Sequence, residues 1–136
     1  MSKGGVVRST EIWRLGMVRK KELLNFTDAL SRLDNDKDLY CEICEIFLEE
    51  IREQVQEIRL RNENFAVEKE ELARTFHSIC GAAANVGAEQ LAESSSELEG
   101  DVRKLESVGL KAFELEEYFA LVDKTLNEIR AKTKPS

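Results

Sequence analysis

The sequence predicts an all-α fold: an antiparallel four-helix bundle with additional short N-terminal helices. Three observations carry this. The 136 residues contain one proline, near the end, and seven glycines, so long stretches run free of helix breakers. Apolar residues recur at three- and four-residue spacing through four long segments. The chain is also rich in Glu, Lys, Leu and Ala, the residues that lose least on entering a helix. A chain of this length makes one domain with a real core. We expect that domain over residues 10–131, between a disordered tail at 1–9 and a frayed end at 132–136.

Thr10 is a candidate N-cap for a first helix reaching about Lys21, with Ile12, Trp13, Leu15 and Val18 on one face. This helix is expected to pack across one end of the bundle, with a docking or dimerising element as the alternative. A short helix from Phe26 to Leu33 follows, capped by Asn25. Asp34-Asn35-Asp36 reads as a turn whose last residue caps the next helix. That helix runs from about Lys37 to Arg61, with Tyr40, Cys44, Phe47, Ile51, Val55 and Ile58 on one stripe. Asn62-Glu63-Asn64 interrupts it.

The next helix spans about Val67 to Val86 and ends at Gly87, which suits a left-handed closing position. A further helix, about Ala88 to Lys104, carries Leu91, Ser95, Leu98 and Val102 on one stripe. Val108-Gly109 marks a break. The last helix, about Lys111 to Ala131, is expected to turn Phe113 or Leu115, Phe119, Val122, Leu126 and Ile129 inward.

The only histidine, His77, stands out within this scheme. At 100° per residue, Leu72, Phe76, Ile79, Ala83 and Val86 share an apolar face, and His77 falls opposite. Its neighbours one and two turns away are Ala73, Arg74, Cys80, Gly81 and Ala84. An imidazole standing over such small residues is open to a large partner. Gly81 costs about 1 kcal/mol relative to alanine in mid-helix, and its missing side chain gives access beside His77.

The run His77-Ser78-Ile79-Cys80-Gly81-Ala82-Ala83-Ala84-Asn85-Val86-Gly87-Ala88, with Leu91 and Glu97-Leu98-Glu99 beyond it, resembles the histidine-containing phosphotransfer (HPt) domain. The family signature runs His-x-Leu-Lys-Gly-Ser/Ala-x-Ala-x-Leu/Ile-Gly-Ala, with a Leu-Glu pair some twenty residues after the histidine. The resemblance extends upstream through Leu39-Tyr40 and Ile46-Phe47-Leu48-Glu49-Glu50, and covers roughly Leu24 to Arg130.

The resemblance implies that His77 Nε2 accepts a phosphoryl group from the aspartyl phosphate of a response-regulator receiver domain and passes it to another. An upstream hybrid histidine kinase would feed the relay. The receiver would bring the acidic pocket, the Mg²⁺ and a lysine, so no cofactor is expected on this chain. Glu99 falls where the family places a Glu or Gln near the histidine, and a carboxylate there would accept the Nδ1–H bond. The chain departs from the family at Cys80, which replaces the usual lysine. Arg74, one turn before His77, is the candidate for a compensating charge.

Two other readings stay open. One is a helical adaptor that binds receiver or kinase domains without efficient transfer. The other is a redox-sensitive carrier, which requires an exposed Cys80 with a lowered pKa.

Composition narrows the classes further. A net charge of −7 argues against nucleic acid and anionic membranes as partners. No apolar run approaches the length of a membrane span and no signal-peptide core follows Met1, so a cytoplasmic, monomeric protein is the simplest expectation. Three cysteines do not make a disulfide framework, and Cys41 and Cys44 lie within a helical pattern that suits Cys44 as a small core residue. No glycine-rich phosphate loop, nucleophile elbow or metal-ligand cluster is present. A phosphocarrier, not an enzyme with its own ATP or metal site, is therefore expected.

Overall fold

The structure is a computed structural model that describes residues 20–105 and 115–134. It contains a short helix α1 (Phe26–Ser31) and four long ones: α2 (Lys37–Glu63), α3 (Phe65–Val86), α4 (Glu89–Lys104) and α5 (Glu116–Thr133). The long helices form the antiparallel bundle, and no strand occurs among the described residues.

The caps follow from local chemistry. Asn25 Oδ1 accepts from the Asp28 N–H at 3.1 Å at the start of α1. Asp36 Oδ1 accepts from the Leu39 N–H at 3.0 Å and opens α2. Asp34 and Asn35 take left-handed φ values of 55° and 61°, a conformation that short polar side chains tolerate best. Only Asn64 separates α2 from α3. Arg61 braces that elbow, bonding Glu57 on α2 at 2.9 Å and also reaching Glu68 on α3.

Gly87 closes α3 at φ 88°. An added Cβ there would stand 2.7 Å from the Asn25 carbonyl oxygen, so the position needs glycine for conformation and for space. The close approach has a purpose. The Asn25 N–H donates to the Gly87 carbonyl at 2.7 Å, the Gln90 N–H to the Glu22 carbonyl at 3.0 Å, and the Glu22 N–H to Glu89 Oε1 at 3.0 Å. Tyr40, fully buried on α2, donates its hydroxyl to the Val86 carbonyl at 2.9 Å. The segment before α1 is thus stitched onto the turn between α3 and α4.

The core draws on the expected stripes of α2 and α3. Tyr40, Cys44, Phe47, Ile51 and Ile58 are buried on α2, and Leu72, Phe76, Ile79, Ala83 and Val86 on α3. Each such aliphatic or aromatic side chain contributes about 1.5–3 kcal/mol on burial. On α4, Leu91, Ser95 and Val102 are buried while Leu98 stays partly exposed.

The last helix departs from expectation. It begins at Glu116, with Leu115 outside it as the N-cap, and Lys111 and Phe113 lie outside the described residues. Its inward stripe is Tyr118, Val122, Thr125 and Ile129, while Phe119 and Leu126 are only partly buried. The reason is pairing. Tyr118 has a hydroxyl partner inside, Ser95 Oγ at 2.8 Å, and Phe119 finds the Arg59 guanidinium over its ring at 4.0 Å. Thr125 satisfies its own hydroxyl by donating to the Leu121 carbonyl at 2.7 Å.

The expected helix from Thr10 lies outside the described residues up to position 19, and Lys20 and Lys21, its expected end, are not helical. The short helix ends at Ser31, before the expected Leu33, because the chain already turns at residues 32–35.

Candidate functional site

Helix α3 buries one face and presents the other, and His77 stands on the presented face with its side chain 75% exposed. The helix needs no special strain to do this, since the apolar register from Leu72 to Val86 fixes its rotation. Nearby, Gln54 on α2 donates to Ser78 Oγ at 2.8 Å and ties the two helices together beside the histidine.

The imidazole is anchored from α4. His77 Nδ1 lies 3.1 Å from Glu99 Oε1. An ionised carboxylate only accepts hydrogen bonds, so the chemistry assigns the proton to Nδ1 and leaves the Nε2 lone pair facing outward. Burial opposes ionisation of Glu99, but the hydrogen bonds from His77 and Arg103 outweigh it and hold the carboxyl below its usual range.

The two carboxylate oxygens are divided between partners. Oε2 accepts from Arg103 Nε at 3.0 Å, one turn further along α4. The same guanidinium reaches back to Glu70 Oε1 on α3 at 3.5 Å. Arg103 and Glu70 were not singled out from the sequence. Their signals were present: Arg103 follows Glu99 by four residues, and Glu70 precedes His77 by two turns on the same face.

The other expected residues divide. Among the described residues, nothing lies within 4 Å of where a Cβ on Gly81 would sit. Ala84 is exposed, and its carbonyl accepts from Arg32 Nη2 at 3.2 Å. Ala73, expected on the exposed side, is buried, because the α3–α4 contact wraps further round the helix than the five-residue stripe. Arg74 is exposed and pairs with Glu71 on its own helix. Cys80 is half-buried, and burial, followed by the charge of Glu99, raises its thiol pKa. That direction runs against the redox reading, which needed a lowered value.

Beside His77, between α3 and α4, a groove of about 620 Å³ is lined by Cys80, Ala84, Ala92, Glu93, Ser96 and Glu97, with Lys21 and Arg32 at one end. Among the described residues no group of three or more His, Cys, Asp or Glu side chains is arranged to hold a metal ion. Among them, too, no helix is long and apolar enough to cross a membrane. Cys44 is fully buried and Cys41 partly so, both without a disulfide.

This arrangement offers a nucleophilic nitrogen to solvent, fixes its tautomer from behind and clears the space in front of it. Comparison with known proteins adds one finding. Residues 42–132, more than half of the chain, match the family model described as the Hpt domain. The matched span includes His77, Gly81, Gly87, Glu99 and Arg103. No curated protein and no solved structure matches the chain.

Proposed function

The chain belongs to the Hpt domain family, whose members have a histidine phosphotransfer role in phosphorelays, and from that premise we propose that His77 is its phosphoacceptor. The observation that carries the reading is the bond between His77 Nδ1 and Glu99, with the imidazole otherwise exposed.

In the proposed step, the Nε2 lone pair attacks the phosphorus of an aspartyl phosphate on a receiver domain. The P–N bond forms as the P–O bond to the aspartate breaks, and the aspartate leaves as a carboxylate. The ring keeps its Nδ1 proton and gains positive charge, which the Glu99 carboxylate offsets in place. Arg103 is a positioning residue here: it holds Glu99 Oε2, so that Oε1 stays on the imidazole. The reverse sequence delivers the group to a second receiver. Positioning and charge neutralisation carry most phosphoryl transfers, and the receiver is expected to supply the Mg²⁺ and the lysine. The chain then acts as a carrier between a kinase-fed receiver and a later one.

Gly81 fits this reading as clearance. Among the described residues, a Cβ there meets nothing, yet the glycine weakens the helix by about 1 kcal/mol. A close approach from outside gives it a purpose.

The test is phosphoryl transfer from a panel of phosphorylated receiver domains to the wild-type chain and to His77→Gln. Acid-labile, alkali-stable label on wild type alone is the expected result. Label persisting on His77→Gln would overturn the assignment. The adaptor reading is supported by Cys80, which puts a half-buried thiol where the family carries lysine. Receiver binding without label on wild type would establish it.

A further inference from the structure

A second surface lies away from His77, between α2 and α5. A groove of about 470 Å³ runs there, floored by Ile51, Val55, Val122 and Leu126. Arg52 and Arg59 on α2 and Arg130 on α5 line it, and all three are exposed. Their charges stand out in a chain whose net charge is −7. Among the described residues, none of the three forms an ion pair. Arg59 is held over the Phe119 ring, and Arg130 Nη1 donates to Asn127 Oδ1 at 3.4 Å. The single acid of the lining is Asp123.

We propose that this groove is a docking site for an acidic amphipathic helix of a partner protein. The shape of the charge favours a helix. Arg59 sits level with Phe119. Since α2 and α5 are antiparallel, Arg52 lies about 10 Å along the groove from that level and Arg130 about 16 Å, at 1.5 Å per residue. A small anion would be met by convergent guanidinium groups. Here they are strung over about three helical turns above an apolar floor. An incoming helix with an apolar stripe flanked by carboxylates matches both features at once.

Charge also chooses among other occupants. The residues before the described chain, 1–19, carry Lys3, Arg8, Arg14 and Arg19 against Glu11 alone, so this segment is repelled. A nucleic acid backbone has no apolar stripe to lay on the floor of Ile51, Val55, Val122 and Leu126. Occupation of the groove leaves His77 open, so docking here would recruit the carrier without blocking transfer.

The experiment uses the full chain and a labelled synthetic peptide of about five turns, with leucines on one stripe and glutamates flanking them. Two control peptides keep its length. One scatters the same leucines around the helix, and the other replaces the glutamates with lysines. Fluorescence anisotropy should show saturable binding of the first peptide only, weakening as salt rises. Amide shifts should cluster at Val55, Gln56, Leu126 and Asn127.

The Arg52→Gln/Arg130→Gln variant should lose at least tenfold in affinity while keeping its circular dichroism, its melting temperature and its labelling at His77. Equal binding of the scattered peptide would reduce the site to bulk charge and overturn the proposal. No saturable binding, undiminished binding by the variant, or shifts centred on His77 and Gly81 would overturn it too. A wild-type dimer by light scattering that the variant abolishes would instead give the groove to a second copy of the chain.

Discussion

Glu99 concentrates the residue-scale chemistry, because one carboxylate serves two donors on two helices. Its ionised form is favoured in the folded protein, so its pKa lies below the unfolded value. Such a group stabilises the fold above the unfolded pKa, and the contribution fades as pH falls through the lower, folded one. Thermal unfolding of wild type and Glu99→Gln should therefore differ at neutral pH and converge as the pH falls below the usual carboxylate range. The same variant should slow phosphoryl transfer severalfold and change the ¹⁵N signature of the imidazole tautomer; an unchanged signature would remove the orienting role.

Gly81 offers the opposite experiment. Gly81→Ala should raise stability by about 0.5–1 kcal/mol, read from denaturant midpoints, since nothing among the described residues opposes the new methyl group. Phosphoryl transfer from a receiver should fall at the same time. A gain in stability with transfer unaltered would deny Gly81 its clearance role.

At the scale of elements, the same substitution at Gly87 must behave differently. There the backbone is left-handed and the Asn25 carbonyl occupies the space a Cβ needs. Gly87→Ala should cost about 1–3 kcal/mol from conformation alone, with a further loss from displacing residues 22–25. Urea unfolding compared across the two alanine variants checks both signs together.

The helices themselves were legible in the sequence wherever an apolar stripe and a cap agreed. Asp36, Gly87 and the stripe from Leu72 to Val86 gave boundaries within two residues at most of those observed. Helix α5 was misread on its inner face because periodicity ranks Phe119 above Tyr118 and Leu126 above Thr125. Hydroxyl partners decide that contest, and they lie on another helix or a turn back along the same one. Arg103 was missed for a related reason. An arginine four residues after a glutamate is a common surface pair, and only the bundle shows that this arginine holds the second oxygen of the carboxylate that meets His77.

Across the whole molecule, α5 joins the bundle through a buried polar contact among apolar ones. Tyr118→Phe would leave the Ser95 hydroxyl buried without that partner and should cost about 1–3 kcal/mol. The double variant Tyr118→Phe/Ser95→Ala should recover much of the loss, and a cycle of unfolding free energies measures the coupling. The fold also distributes its surface unevenly: the histidine and the groove beside it between α3 and α4, the three arginines between α2 and α5. Sequence reading reached the first surface, where the residues fall within one short run. It missed the second, whose members come from residues 51–59 and 122–130.

The elbow at Asn64 has a last consequence, for how such a chain can change over generations. With a single residue joining two helices, no slack exists to absorb an insertion. One extra residue between Asn64 and His77 would rotate the imidazole by about 100° relative to the elbow, away from Glu99. Substitutions at the exposed positions of that stretch are open to drift. Changes in its length are not.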